Sequence, residues 1–276
     1  MAPLDKPIRV FSFGGGVQST AALVLQAQGQ ITPYDAFVFA NVGGDSENPA
    51  TLAYIEAVSK PYAAAHGLSL IEARKLTRGQ PETLLQHLYR QQRSVPIPAY
   101  MQTGAPGNRK CTTEFKIAVV DRWIRQQGYA SAVIGLGISM DEYQRMRDTD
   151  WHDRHGTKRF GFWKKNEYPL ISLRLTRHDA LNIISEAGLP APPKSSCWFC
   201  PFSSRSRWIE LRQNDPELFA RAVALEEMIN AKRAEIGRDR VYLHTSLRPL
   251  AEAVSEQLPL FLDDDGSTCD SGYCFV

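Results

Sequence analysis

The sequence predicts an α/β fold: a parallel sheet with helices on both faces, followed by a C-terminal helical appendage. Short apolar runs typical of buried strands lie at residues 8–13, 35–42, 68–72 and 132–138. Helical patterns lie between and after them, at residues 50–66, 114–127, 177–187 and 203–236, and residues 81–93 are a further candidate helix. This alternation predicts parallel strands with right-handed crossovers, so ligands are expected at the carboxyl ends of the strands.

A glycine turn follows the first predicted strand. The strand ends in three consecutive glycines, residues 14–16, and an Ala- and Leu-rich helix begins at Ser19 and Thr20. Such a turn directs backbone N–H groups and the positive end of a helix dipole at one point, which suits a phosphate. A Walker loop is excluded because no lysine lies between residues 6 and 60, and the dinucleotide fingerprint lacks its third glycine. An ordinary glycine-rich turn is the alternative.

Composition and charge bound the function classes. The chain has 276 residues with 32 Lys and Arg against 30 Asp and Glu, so overall charge does not make it a polyanion binder. We expect no membrane association and a cytoplasmic location, because no signal-type segment or membrane-length apolar run is present. The five cysteines are expected to be reduced, with metal or cluster ligation possible.

Polar residues follow two other predicted strands. Asn41 and Glu47 lie in the turn after the second strand, and Asp141, Glu142 and Arg145 follow the strand at 132–138. The carboxylates offer the oxygen ligands that Mg²⁺ prefers, and the arginine can hold a phosphate or sulfate. Solvated acidic turns at helix starts are the structural alternative.

Cysteines form a second group of candidates. Cys111 lies at a predicted helix start beside two cations, which favour its thiolate. Cys197 and Cys200 form a C-x-x-C followed by proline, a pattern compatible with a redox pair, a zinc site or an iron–sulfur site. Either Cys269 or Cys274 is expected to supply a fourth ligand, unless the cluster has three protein ligands. Buried, unrelated thiols are the alternative.

A basic stretch interleaved with aromatic residues runs from Arg154 to Lys165. Such a pattern suits single-stranded nucleic acid, through phosphate neutralisation and base stacking. A solvated loop with an apolar anchor has the same composition.

Several of these segments resemble one family. Residues 14–19 resemble the PP-loop of N-type ATP pyrophosphatases, Ser-Gly-Gly-x-Asp-Ser/Thr, with Gly14 in place of the serine and Gln18 in place of the aspartate. The glutamine is similar to the phosphoadenosine-phosphosulfate (PAPS) reductase branch. Residues 41–51, 137–145 and 196–202 are also similar to segments of PAPS-reductase-like proteins, so the resemblance covers most of the chain.

The resemblance implies an adenine nucleotide α-hydrolase-like domain at residues 1–175 and a helical region with the C-x-x-C at 176–276. It implies that ATP is bound by Ser12, Gly14, Gly15, Gly16, Val17, Gln18, Ser19, Thr20, Asn41 and Glu47. The implied catalytic residues, acting with Mg²⁺, are Gln18, Ser19, Asp141, Glu142 and Arg145. The implied ligands of a [4Fe-4S] cluster, with zinc as the alternative, are Cys111, Cys197, Cys200 and Cys274.

The function implied is an ATP pyrophosphatase that adenylates an acceptor for sulfur transfer. Relatives suggest nucleic-acid thiolation, such as DNA phosphorothioation with a cysteine desulfurase as sulfur donor, or tRNA thiolation. A sulfonucleotide reductase is the first alternative, although residues 269–274 do not match its Glu-Cys-Gly-x-His segment. A non-catalytic nucleotide-binding partner in a larger complex is the second.

Overall fold

The computed structural model describes residues 6–90, 94–147, 149–150, 152–153 and 162–254. Its strands are β1 Ile8–Phe13, β2 Ala36–Asn41, β3 Leu70–Arg74, β4 Leu76–Thr77, β5 Gln80–Pro81, β6 Tyr100–Met101, β7 Ser131–Leu136, β8 His152–Asp153, β9 Trp163–Glu167 and β10 Val241–Tyr242. Its helices are α1 Val17–Ala27, α2 Pro49–Tyr54, α3 Lys60–Ala65, α4 Leu84–Arg90, α5 Lys110–Thr112, α6 Ala118–Gln126, α7 Pro169–Ser172, α8 Arg177–Glu186, α9 Arg205–Asn214, α10 Pro216–Glu235 and α11 Leu250–Ala253.

The main sheet confirms the predicted fold class. Its order is β3-β2-β1-β7-β9-β8, in which the first five strands are parallel and β8 is antiparallel to β9. Both β2 and β7 are buried along their whole length, as expected of apolar strands covered on both faces. Strands β2 and β3 are added on one side of β1, whereas β7 and β9 are added on its other side. The strand order therefore changes direction at β1, which lies between β2 and β7.

The two faces of β1 carry two different cores. Val10 packs on one face with Ile124 of α6, whereas Phe11 and Phe13 pack on the other face with α1 through Leu23. The period of two in the strand therefore sends alternate side chains to opposite helical layers. As a result, the turn after β1 emerges between the layers at the carboxyl edge.

The C-terminal region is helical, as predicted, and its core continues into the first part of the chain. Trp208 of α9 and Phe219 of α10 belong to one cluster with Val42 and Phe115. The buried carboxylate of Glu226 accepts hydrogen bonds from two backbone N–H groups beyond α10, at 2.7 and 3.0 Å. The predicted division at residue 175 stays a prediction.

Several local predictions were wrong. The helix expected at 114–127 begins at Lys110 and passes through a π-helical turn, Thr113–Ile117, so Cys111 lies within its first turn. The helix expected at 81–93 is preceded by the hairpin β4–β5, in which Pro81 pairs with Leu76. Strand β9 was not predicted. Its Lys164 is buried and forms an ion pair with Asp121 at 3.3 Å. A charged residue at that position does not fit the apolar pattern by which buried strands are predicted.

One further observation concerns membranes. Among the described residues, no helix combines the length and the apolarity needed to cross a bilayer.

Candidate functional site

The glycine turn is closed on two sides. Gly15 has φ +73°, and a Cβ there would lie 2.7 Å from Ile55 Cδ1, where the helix that starts with α2 packs on the turn. A Cβ on Gly16 would lie 2.7 Å from the Ser195 hydroxyl. Glycine is therefore required at Gly15 by the left-handed backbone and by close approach, whereas a side chain at Gly16 would displace the Ser195 hydroxyl. This contact brings the segment that precedes the C-x-x-C directly onto the turn.

Polar groups of the turn engage one another. The Ser19 hydroxyl accepts a hydrogen bond from Gly16 N at 3.1 Å and donates to Gly16 O at 3.0 Å. Gln18 Oε1 accepts from Arg177 at 3.4 Å. The Thr20 hydroxyl is buried and has no hydrogen-bond partner among the described residues. Val17, by contrast, is a core residue. Backbone N–H groups in the first turn of α1 lack intrahelical acceptors, which leaves them suited to an anion.

The turn after β2 supports the C-x-x-C segment. Asn41 Oδ1 accepts from Gly43 N at 2.8 Å, and its amide donates to Glu72 at 3.0 Å, so this side chain shapes its own turn. Glu47 is buried and forms an isolated antiparallel bridge with Cys197. The indole of Trp198 donates to Asp45 O at 2.7 Å. The main chain of the turn after β2 thus pairs with the main chain of the C-x-x-C segment at Cys197.

The Cys197 thiol is buried and within electrostatic range of two other thiols. Burial raises the pKa of the Cys197 thiol, and the charges of Glu47, Cys200 and Cys111 raise it further, against an opposing effect of Lys116. Within the part of the chain that the structure describes, no group of three or more His, Cys, Asp or Glu is placed to hold a metal ion. The predicted ligands Cys269 and Cys274 lie outside the described residues.

The turn after β7 holds its polar residues in structural contacts. Glu142 and Arg145 form a 2.6 Å ion pair, and each side chain is only 4% exposed. Burial raises the pKa of Glu142, although the charge of Arg145 lowers it. The Asp141 carboxylate accepts hydrogen bonds from Arg177 N and from the Ser139 hydroxyl. The predicted catalytic roles of these residues stay predictions.

A cavity of about 130 Å³ links two of the predicted groups. Ser12, on the α6 face of β1, and Arg145 both line it. So do Lys164 and Asp121, whose ion pair no sequence pattern indicates. Its remaining walls include Val120 and other apolar residues. The cavity therefore combines buried charged groups with apolar surface. It lies beside Ser12, two residues before the glycine turn.

Sequence reasoning missed three contributors to this edge. Ser195 and Arg177 contact the glycine turn from segments more than 150 residues away, and no local pattern marks either one. The basic composition of residues 154–165 predicts Lys164 at a surface, but it is buried. The preceding Trp163 is a weak strand signal that the charges of Lys164 and Lys165 outweigh. Most of that basic stretch, residues 154–161, lies outside the described residues.

Fold and site together define an α/β protein whose glycine turn, at the carboxyl edge of a parallel sheet, is packed against a thiol-bearing loop. No known family model and no curated protein matches the chain. Among solved structures, it is similar to the U34-tRNA thiolase NcsA of Methanococcus maripaludis, solved with its [4Fe-4S] cluster. That match has 13% identity and a TM-score of 0.41, and it covers 91% of this chain and 81% of the other. Likeness at that level says nothing about what this chain binds.

Proposed function

We propose that this protein is an ATP pyrophosphatase that activates an acceptor oxygen for replacement by sulfur. The acceptor oxygen attacks the α-phosphorus of ATP, and the bond to the leaving pyrophosphate breaks. The terminal sulfur of a persulfide then displaces AMP from the activated acceptor, and a second thiol attacks the resulting S–S bond, which leaves one sulfur on the acceptor and releases a disulfide. We propose a nucleic acid as the acceptor, in DNA phosphorothioation with a cysteine desulfurase as the sulfur source.

The observation that carries the proposal is the contact between Gly16 and Ser195. It supports the proposal because the glycine turn, which we propose binds phosphate, lies next to a segment in which Cys197 follows Ser195 by two residues. A phosphate-binding turn alone is compatible with many reactions of nucleotides. Neighbouring thiols favour sulfur chemistry, because a thiolate is both a nucleophile and a soft metal ligand.

The thiol set is also the basis for proposing a [4Fe-4S] cluster. Cys111 and Cys200 lie within electrostatic range of Cys197, and thiolates are the donors that iron–sulfur clusters require, although the described residues do not form a ready-made metal site. We propose that these three hold the cluster, with Cys274 as the fourth ligand, and that zinc is the alternative metal. Such a cluster would supply sulfur chemistry beside the glycine turn.

The decisive experiment measures pyrophosphate and AMP after anaerobically purified protein is incubated with ATP and Mg²⁺, first without an acceptor, when water attacks the α-phosphorus, and then with an oligonucleotide. Pyrophosphate release is expected from the wild type and is expected to be lost in Gly16→Ala, whose methyl group would collide with Ser195. The matched control is Gly44→Ala, because a Cβ on Gly44 meets nothing within 4 Å. Equal release by both variants would refute the role of the turn.

Other outcomes identify the alternatives. Sulfite released from a sulfonucleotide indicates a reductase, and bound ATP without turnover indicates a non-catalytic nucleotide-binding protein. The cluster is tested separately by iron and sulfide analysis. Cys197→Ala is expected to lose most of its iron, and full retention of iron would contradict the assignment.

A further inference from the structure

An exposed surface next to the glycine turn has no role in the proposal above. The 3-10 helix Met140–Arg145 and the segment from α7 to α8 together form one rim of the sheet edge. Met140 N donates to Leu175 O at 2.8 Å, and Arg177 N donates to Asp141. Exposed side chains from both segments make up this rim surface, which consists of Met140, Tyr143, Arg147, Leu173, Arg174 and His178.

Its composition is unusual for a solvated turn. Tyr143 is 62% exposed, and Met140 and Leu173 are exposed apolar side chains. Arg147 and Arg174 supply exposed positive charge. Aromatic and cationic side chains side by side suit a strand that offers both phosphates and unstacked bases.

The nearby acids do not cancel this character. Asp141 accepts from the backbone N–H of Arg177, and Asp179 accepts from the backbone N–H and hydroxyl of Thr176. Both carboxylates are therefore engaged by the N-terminus of α8, whose dipole offsets their charge. Glu142 is buried in its ion pair. The exposed cations that a ligand meets are therefore Arg147 and Arg174, with the exposed Asp150 three residues after Arg147.

Arg174 has φ +57°, a conformation that glycine adopts more readily than arginine. A groove of about 430 Å³, lined by Leu173 and Met146 and reaching Tyr34 and Lys165, lies beside the rim. That volume is within the range of small-ligand sites, about 300–1,000 Å³, and is enough for one unstacked nucleotide.

We propose that the rim surface binds single-stranded nucleic acid, with phosphates on Arg147 and Arg174 and a base stacked on Tyr143. The inference rests on the proposed function, because the purpose of binding at the rim surface is to bring the acceptor strand to the glycine turn. Arg177 connects the two places, since it belongs to the rim segment and contacts Gln18.

The test is fluorescence anisotropy with labelled oligo-dT and oligo-rU of the same length, in the absence of ATP. Tyr143→Ala is expected to weaken binding about tenfold. Arg174→Gly is expected to weaken binding several-fold and to make the salt dependence of log K shallower by about 0.7, as for one lost phosphate contact. Preference between the two oligonucleotides distinguishes a DNA strand from an RNA strand.

Arg78→Gly is the matched control. Arg78 is also exposed, has φ +51°, and lies between β4 and β5, beyond the opposite edge strand of the parallel sheet. Both substitutions remove one positive charge and relieve the same backbone conformation, so neither should lower thermal stability. Binding lost equally in both variants, unchanged in Arg174→Gly, or absent in the wild type would overturn the proposal. Pyrophosphate release without oligonucleotide reports on the proposed function independently.

Discussion

Glu142 is a buried acid with one strong partner. Arg145 bonds one of its carboxylate oxygens, and the other oxygen is buried without a hydrogen-bond partner among the described residues. Desolvation therefore outweighs the attraction of the pair and raises the pKa of Glu142 above its ordinary 4.5.

The raised pKa of Glu142 predicts the direction in which the free energy of unfolding changes with pH. The native protein holds this proton more tightly than the unfolded chain does. Stability from Glu142 is thus present below about pH 4.5 and is lost as the pH rises through the raised pKa. The loss amounts to about 1.4 kcal/mol for each factor of ten by which folding tightens proton binding. Urea unfolding across this range should show the wild type losing stability relative to Glu142→Gln.

Glu252→Gln, exposed on α11, is the control for this pH series and should run parallel to the wild type. If the wild type instead gains on Glu142→Gln as the pH rises, the ion pair with Arg145 dominates over desolvation, and the assignment of cause is wrong.

At the scale of elements, the C-x-x-C loop depends on the β2 turn for its position. Its main chain pairs with that turn at Glu47 and Cys197, and Asn48 N donates to Ser196 O at 3.1 Å. The Trp198 indole adds the hydrogen bond to Asp45 O. A loop with several prolines before it has little structure of its own, so these contacts determine where the thiols lie.

Two buried tryptophans allow that support to be measured. Trp198 is 5% exposed and donates to a backbone carbonyl, whereas Trp208 is 1% exposed and its indole N–H has no hydrogen-bond partner in the described ranges. Each Trp→Phe change removes similar volume, but only Trp198→Phe leaves an acceptor unpaired. Urea unfolding should show Trp198→Phe costing about 1–3 kcal/mol more than Trp208→Phe. Equal costs would mean that the indole bond does not hold the loop.

For the whole molecule, one hydrophobic cluster joins the sheet domain to the C-terminal helices. Val42, Leu84 and Phe115 are buried together with Trp208 and Phe219 in that cluster. Helix α8 also packs against α1, with Ala180 and Ile184 beside Val17 and Ala21. Both contacts cross residue 175, the predicted boundary between domains.

A fragment ending at residue 175 should therefore not reach a native state. Exposure of this apolar surface predicts dye binding by ANS and loss of near-ultraviolet circular dichroism, with much of the far-ultraviolet signal kept. The full chain, measured in parallel, should show neither change. A fragment with a cooperative thermal transition and no dye binding would establish residues 1–175 as an independent domain.

Prediction succeeded where the signal was local. β1 was found to the residue because an apolar run ends at glycines, and α8 was found to within one residue because Thr176 and Gly188 frame it. It failed where a partner distant in sequence changes the meaning of a residue. A lysine such as Lys164 is expected at the surface, but its ion pair with Asp121 accompanies burial in a strand. A proline such as Pro81 suggests the start of a helix, but Pro81 pairs with Leu76 in a hairpin.

The sequence by itself determined the alternation of β1, β2, β3 and β7 with helices, and with it the edge where ligands are expected. It did so because hydrophobic period and glycine geometry act over a few residues. Only the tertiary structure decided that Ser195 covers Gly16, that the C-x-x-C loop pairs with the β2 turn, and that Glu142 is buried against Arg145. Most of those contacts join segments far apart in the chain, and their energies depend on burial and desolvation, which exist only once the chain has folded.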